Sequence, residues 1–232
     1  MIQTSDDPAA GHHALEPTIR QLPWFHQIDF GAGLLTPGAI RLSKINRMSR
    51  MLFDGLDLRG RTLLDIGCWD GAYSLEATRR GATVTAVDHF VWHDGWGDRR
   101  CIDLVQRHLA PSLRVVDADL LELTPDRLGR FDVVLFLGVL YHLRDPLTAL
   151  ERVARLATDT LVVETRMTMR HLRKPVMQFH PGGTLGSDPT NWWTPNRRCV
   201  EAMLRDLGFQ RIRFTQPDWR WRRGMFHASE RR

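Results

Sequence analysis

From Arg61 onward the chain alternates short apolar runs of strand length with segments of helical period, and this alternation constrains the fold more than any other feature. The apolar runs are TLLDI at 62, TVTAV at 83, LRVV at 113, FDVVLFL at 131, TLVVE at 160, QRIRF at 210 and GMFHA at 224. Between them, SLEATRR, IDLVQRHL, PLTALERVARLA and NRRCVEAMLRDL read as helices. Strands separated by helices predict an α/β domain with a parallel sheet and crossover helices. Pro146 after Asp145 and Pro195 after Thr194 predict two helix starts, with those residues as N-caps. Gly81 and Gly208 follow two other helical segments, where a left-handed capping residue is expected.

Three further segments are expected around this core. Residues 1–20 are polar and without period, which predicts a mobile leader. Residues 21–60 mix Trp24, Phe25, Ile28 and Phe30 with glycines and prolines, as in an ordered, irregular cover on one end of the core. Residues 166–195, within the 61–232 domain, read as an insertion long enough to form a lid. The 43% hydrophobic content of the 232 residues suffices for a sizeable core. The formal charge of +5 concentrates at the end, where Arg211, Arg213, Arg220, Arg222, Arg223, Arg231 and Arg232 face Asp218 and Glu230. A solvated basic edge and an anionic partner both fit that pattern. Cys68, Cys101 and Cys199 form no CxxC pair, so neither a disulfide framework nor a metal site is expected, and a reducing cytoplasm fits. The basic-then-apolar order of a secretory signal is not seen at the N-terminus, and no run approaches membrane-spanning length.

The chemistry is expected at the strand ends. In LLDIGCWDG at 63, a strand enters a turn with two glycines and then a helix. Such a turn beyond a parallel strand predicts nucleotide binding. Trp69 stands where a dinucleotide fingerprint has its middle glycine, which disfavours pyrophosphate. Asp65 points instead to a ligand with a cationic group. Asp88 ends the next strand, where a carboxylate can accept from ribose hydroxyls. Asp119 and Leu120 follow the third strand, placed to meet an adenine amino group and ring. After the fourth strand, Gly138 leads to Tyr141 and His142, an adjacent pair able to move or steer a proton. A purely scaffolding His142 remains open at this stage. Trp192 and Trp193 precede a helix, where they can wall a pocket or staple a loop.

Together the segments PWFHQIDFGAGLLTPG, LLDIGCWDGAYSLEATRRGA, GVLYHLRDPLTALERV, NWWTPNRRCVEAMLRDLGF and RRGMFHA resemble the class I S-adenosylmethionine-dependent methyltransferases, over about residues 22–228. More narrowly they resemble the group around the bacterial tRNA wobble-uridine carboxymethoxy-methyltransferases. The resemblance implies a Rossmann-like, seven-stranded, mostly parallel sheet with helices on both faces and an antiparallel last strand. It implies that Asp65, Gly67 and Gly71 hold the methionine part of the cofactor, Asp88 the ribose and Asp119 the adenine, with Trp69, His89, Leu120 and Gly138 beside them. Tyr141 and His142 become the catalytic candidates. Trp24, His26, Tyr141, Arg144, Trp192, Trp193 and Arg223 become the acceptor-binding candidates. The tRNA group uses carboxy-S-adenosylmethionine, whose carboxylate a Lys, a Tyr and an Arg hold. Tyr141 and Arg223 match two of these, whereas residues 23–33 offer no Lys. The expectation is therefore methyl transfer from S-adenosylmethionine to a hydroxyl of a small metabolite. A tRNA acceptor is the alternative, and a non-catalytic binding module the third reading.

Overall fold

The computed structural model describes residues 8–216 and 222–232, so the leader's first residues and Asp218 and Arg220 of the basic end lie outside the described residues. The elements in chain order are α1 (Pro8–Gln21), α2 (Leu42–Phe53), β1 (Thr62–Ile66), α3 (Ala72–Arg79), β2 (Thr83–Asp88), α4 (Phe90–His93), α5 (Arg99–His108), β3 (Arg114–Asp117), α6 (Pro125–Leu128), β4 (Phe131–Leu137), α7 (Pro146–Leu156), β5 (Ala157–Arg166), β6 (Met177–Phe179), β7 (Trp193–Pro195), α8 (Arg197–Asp206), β8 (Phe209–Thr215) and β9 (Arg223–Arg231).

Seven strands form one sheet in the order β3-β2-β1-β4-β5-β9-β8. The first five pair in parallel, and β9 runs antiparallel between β5 and β8. Successive side chains of a strand point to opposite faces, and the core divides accordingly. Leu63, Val133 and Leu135 pack on one face with Ile45 and Leu52 of α2, Leu75 of α3 and Ile102 of α5. Leu64, Val134 and Phe136 pack on the other with Leu150 and Val153 of α7 and Val200 and Leu204 of α8. Chain direction across the sheet switches between β1 and β4. In open α/β sheets ligands bind in the crevice outside the carboxyl ends at such a point.

Three expectations change. Residues 8–20, though without period in the sequence, belong to α1, whose Ile19 is fully buried in the same core as β1. The cover segment ends in the amphipathic α2, which buries Ile45, Met48, Leu52 and Phe53. Thr194 does not cap α8. Pro195 closes β7, and Asn196 takes the cap, its side chain accepting from the Cys199 N–H at 2.9 Å. Asp145 caps α7 as expected, accepting from the Thr148 N–H at 3.2 Å. Within the insertion, β6 pairs antiparallel with β7 as a separate two-stranded sheet.

Candidate active site

The turn after β1 approaches the loop after β4 so closely that only glycine fits at its start. Gly67 has φ of +77°, and a Cβ there would lie 2.4 Å from Val139 Cγ2. Trp69 also has a left-handed φ, of +56°. Two contacts hold it so: Asp88 accepts its N–H at 2.9 Å, and its ring stacks on Phe25 with centroids 4.1 Å apart. Asp70 is fully buried and accepts the N–H groups of Phe25 and His26 at 3.0 and 2.8 Å, and its Oδ1 lies 2.5 Å from His26 Nδ1. The cover segment is thus bound directly to the turn, over the carboxyl ends of β1 and β2.

Beneath it lies a cavity of about 1140 Å³. That exceeds the range for one small ligand, roughly 300–1,000 Å³, and leaves room for two side by side. Asp65, Gly67, Trp69, Asp88, His89, Asp119, Leu120 and Gly138 line one part of it. Tyr141, His142, Arg144, Trp192, Arg223 and His26 line it as well. Three expected site residues are not in the lining. Trp24 is a core residue whose Nε1 donates to the Ile19 carbonyl at 2.8 Å, fastening α1. Trp193 packs on Phe179 and donates to the Arg144 carbonyl at 3.2 Å, stapling β7 to the loop after β4. Gly71 caps α3 with φ of +81°, and a Cβ there would meet Ile102 at 2.9 Å, so its lack of a side chain serves packing.

Burial sets the electrostatics of the first part. Asp65 is 2% exposed and accepts from the Ser74 hydroxyl at 2.6 Å, yet burial pushes its carboxyl up to about 6. Burial raises Asp88 also, against the N–H bonds it accepts from Trp69 and His89. The Cys68 thiol is pushed well above its ordinary value by burial, so it is no nucleophile at neutral pH. Asp65 carries a consequence for stability. The native state holds its proton up to about pH 6, the unfolded chain only to about 3.8, so this group's cost is absent below the lower value and complete above the higher. Asp65→Asn is expected to stabilise the ligand-free fold by about 2–3 kcal/mol at pH 7.5 and by almost nothing below pH 4, as urea denaturation at the two pH values will read.

At the other part, Tyr141 is 8% exposed and its hydroxyl accepts from Arg223 Nη1 at 3.2 Å. Arg223 also forms a two-pronged pair with Glu164, through Nε to Oε1 and through Nη2 to Oε2 at 2.7 Å. Burial would lower the guanidinium's pKa, but the Glu164 charge and hydrogen bonds outweigh it, and the net shift is upward. His142 Nδ1 meets the Thr190 hydroxyl at 2.8 Å, and its ring lies 4.2 Å from that of Tyr141. Burial lowers its pKa despite the Asp188 carboxylate 4.0 Å away. Arg144 lies over the Trp192 ring at 4.3 Å.

Glu164, Arg166 and Lys44 also line the cavity and were not among the expected residues. Glu164 was readable in principle, as an acid closing the apolar run TLVVE. Lys44 comes from α2, outside the 23–33 stretch. His89 and His93 also converge on Asp117, with donor atoms of all three within 4.8 Å of one another. Arg99 Nη1 stands 3.6 Å from the same carboxylate and supplies its counter-charge, so the cluster is explained as an ion-pair network.

A family model described as a methyltransferase domain matches residues 40–213. A tRNA U34 carboxymethyltransferase of Azotobacter vinelandii is 33% identical over 168 residues, covering 68% of this chain and 48% of that protein. Its counterpart in Geobacter sp. (strain M21) is 29% identical over 164 residues, covering 67% of this chain and 46% of that one. The chain thus spans about half the length of the curated relatives it matches. Among solved structures, the N-terminal domain of EvdMO1 in the presence of SAH and D-fucose superposes with a TM-score of 0.69 at 20% identity, covering 97% of both chains. The 1,6-didemethyltoxoflavin-N1-methyltransferase of Burkholderia thailandensis superposes with a TM-score of 0.59 at 20% identity, covering 81% of this chain and 78% of that one.

Proposed function

Since the chain belongs to the methyltransferase-domain family, we propose that it transfers a methyl group from S-adenosylmethionine to a hydroxyl of a small molecule bound in the same cavity. The wall of that cavity suits the cofactor. Asp65, Asp88 and Asp119 all line it, and carboxylates accept hydrogen bonds. The ammonium, ribose hydroxyls and adenine amino group of the cofactor are all donors, and its charge is positive. Asp65 would hold the methionine part, Asp88 the ribose, and Asp119 with Leu120 the adenine.

The bound cofactor supplies an electrophilic methyl group on a sulfonium. The chain's own part is to aim the acceptor and take up its proton. Tyr141 and His142 lie on the loop after β4, beside the β1–β4 crevice. Burial keeps His142 unprotonated at neutral pH, so its ring can accept the proton of the acceptor hydroxyl as the oxygen–carbon bond forms. Tyr141, oriented by Arg223, fixes the oxygen in line. The rate is therefore expected to fall on acidification, with a limb below the ordinary histidine value of about 6.5. His142→Gln should flatten that limb and lower kcat on the order of tenfold to a hundredfold, because in-line positioning carries most of the acceleration. A limb unchanged in the variant would remove His142 from the proton path.

The observation that carries plain methyl transfer is the grip of Glu164 on Arg223. A carboxylated cofactor would have to bring its carboxylate to a guanidinium whose charge a buried acid already neutralises. Transfer to tRNA is the second reading, favoured by the names of the curated relatives and by Lys44 in the cavity lining. Mass spectrometry of reactions fed either cofactor decides between them. A small-molecule product heavier by one methylene supports the first. A carboxymethylated uridine in tRNA supports the second.

A further inference from the structure

We infer that the acceptor compartment is built to hold an oxyanion on Arg166, so that the molecule methylated carries a carboxylate or phosphate near its hydroxyl. This rests on the reading of the cavity as a methyl-transfer site. Arg166 is the last residue of β5, two positions after Glu164 and hence on the same side of the strand. Its guanidinium lies 5.6 Å over the ring of Tyr141. It lines the cavity, yet its Nε is buried without a hydrogen-bond partner, and no carboxylate among the described residues pairs with it.

The sheet register sharpens the imbalance. Across the β5–β9 pair, Arg166 stands directly opposite Arg223. Like charges in that relation repel. Glu164 compensates one of them, because both of its oxygens go to Arg223. Asp188 does not compensate the other: its Oδ1 accepts from the Thr190 N–H and hydroxyl, and its Oδ2 faces His142 at 4.0 Å. One guanidinium charge is thus left over at the cavity wall, with a buried donor that has no acceptor. Because the residue lines the cavity, a ligand oxygen can meet its guanidinium there, and an anionic one offsets the charge most strongly.

A second orphan lies beside it. Asn191 is 3% exposed and lines the cavity, and its Oδ1 is buried without a partner while its Nδ2 donates to the Leu185 carbonyl at 2.8 Å. Arg166 Nη2 and Asn191 Nδ2 both come within 4.0 Å of one point beside Gly186. A cation without a carboxylate partner and, on another lining residue, an acceptor without a donor fit a ligand bearing both an oxyanion and a hydroxyl. Arg166 and His142 flank the same Tyr141 ring, so an oxyanion on Arg166 brings a nearby hydroxyl to the proton-accepting pair.

The test uses the protein loaded with S-adenosylhomocysteine and titrated by calorimetry with 4-hydroxybenzoate and with its neutral analogue 4-hydroxybenzamide. The acid is expected to bind at least roughly tenfold more tightly than the amide. Arg166→Gln should erase that preference, Arg166→Lys should retain part of it, and S-adenosylhomocysteine affinity should hold in both. No preference for the acid in the wild type overturns the inference. A second arm incubates the enzyme with methyl-labelled S-adenosylmethionine and a size-filtered metabolite extract. A labelled product retained on an anion exchanger supports the inference, and a neutral or cationic one overturns it. If Arg166→Gln weakens carboxy-S-adenosylmethionine roughly tenfold and spares S-adenosylmethionine, the oxyanion belongs to the cofactor and the acceptor assignment falls. If the wild type binds the cofactor and labels nothing small, while RNA is labelled, the small-molecule reading fails and takes this inference with it.

Discussion

Glu164→Ala is expected to lower the stability of the ligand-free protein by about 3–4 kcal/mol, among the largest effects a single truncation can have here. Glu164 is 4% exposed and accepts two bonds from Arg223, whose side chain is about a quarter exposed. Removing the acid leaves a largely buried guanidinium beside Arg166, its partner in the register, with no carboxylate between them. The partial exposure of Arg223 lets some water return, which places the loss toward the lower end of the 3–5 kcal/mol that broken buried pairs cost. For a chain of this length the melting temperature should fall by about 6–16 °C. Adding Arg223→Met to Glu164→Ala removes the stranded charge and should restore about half of the loss. If the single variant unfolds at the wild-type temperature, the pair does not hold β5 to β9. The same variant frees the Tyr141 hydroxyl from its donor's fixed position, so activity should fall even where the fold survives.

The places where the sequence was and was not readable follow from the same physics. β1 and β4 agree with their sequence runs residue for residue, because Leu63 and Leu64, and Val133 to Phe136, are buried on both faces and bounded by polar turns. The positions of Asp88 and Asp119 at strand ends were equally readable, since a parallel sheet puts every such residue at one edge. α1 was missed because it is polar, with Pro17 inside it, and is held by Ile19 alone among its described buried residues. The fate of the tryptophans was not local information. Trp193 opens β7 and Trp192 stands just before it, and only the fold decides that Trp192 lines the cavity while Trp193 staples the strand. Lys44 and Arg166 look in the sequence like ordinary solvated cations. What makes them part of the site is a helix laid over the sheet edge in one case and cross-strand register in the other.

Asp88→Ala is expected to weaken S-adenosylhomocysteine binding by at least a hundredfold, on the order of 3 kcal/mol or more, because two charge-assisted bonds to ribose hydroxyls are worth about 1.5–3 kcal/mol each. The carboxylate already accepts the N–H groups of Trp69 at 2.9 Å and His89 at 2.8 Å. The His89 bond is to Oδ1, which also takes a long 3.5 Å bond from the Val91 N–H, whereas Oδ2 accepts from Trp69 alone, so the backbone bonds orient the group and leave acceptor capacity chiefly on Oδ2. Truncation has two consequences to separate, the loss of the proposed ribose contact and the release of the Trp69 turn. Asp88→Asn separates them. It keeps a carbonyl for one backbone N–H and turns the other position into a donor, so it should lose roughly tenfold to a hundredfold in affinity while the fold, read by circular dichroism and melting, holds. Burial raises the Asp88 pKa above the ordinary carboxylate value, and ligand hydroxyls favour the charged form. Binding to the wild type should therefore weaken as pH falls toward that raised value, and binding to Asp88→Asn should not share the Asp88 part of that dependence. Unchanged affinity in both variants would take the ribose away from Asp88.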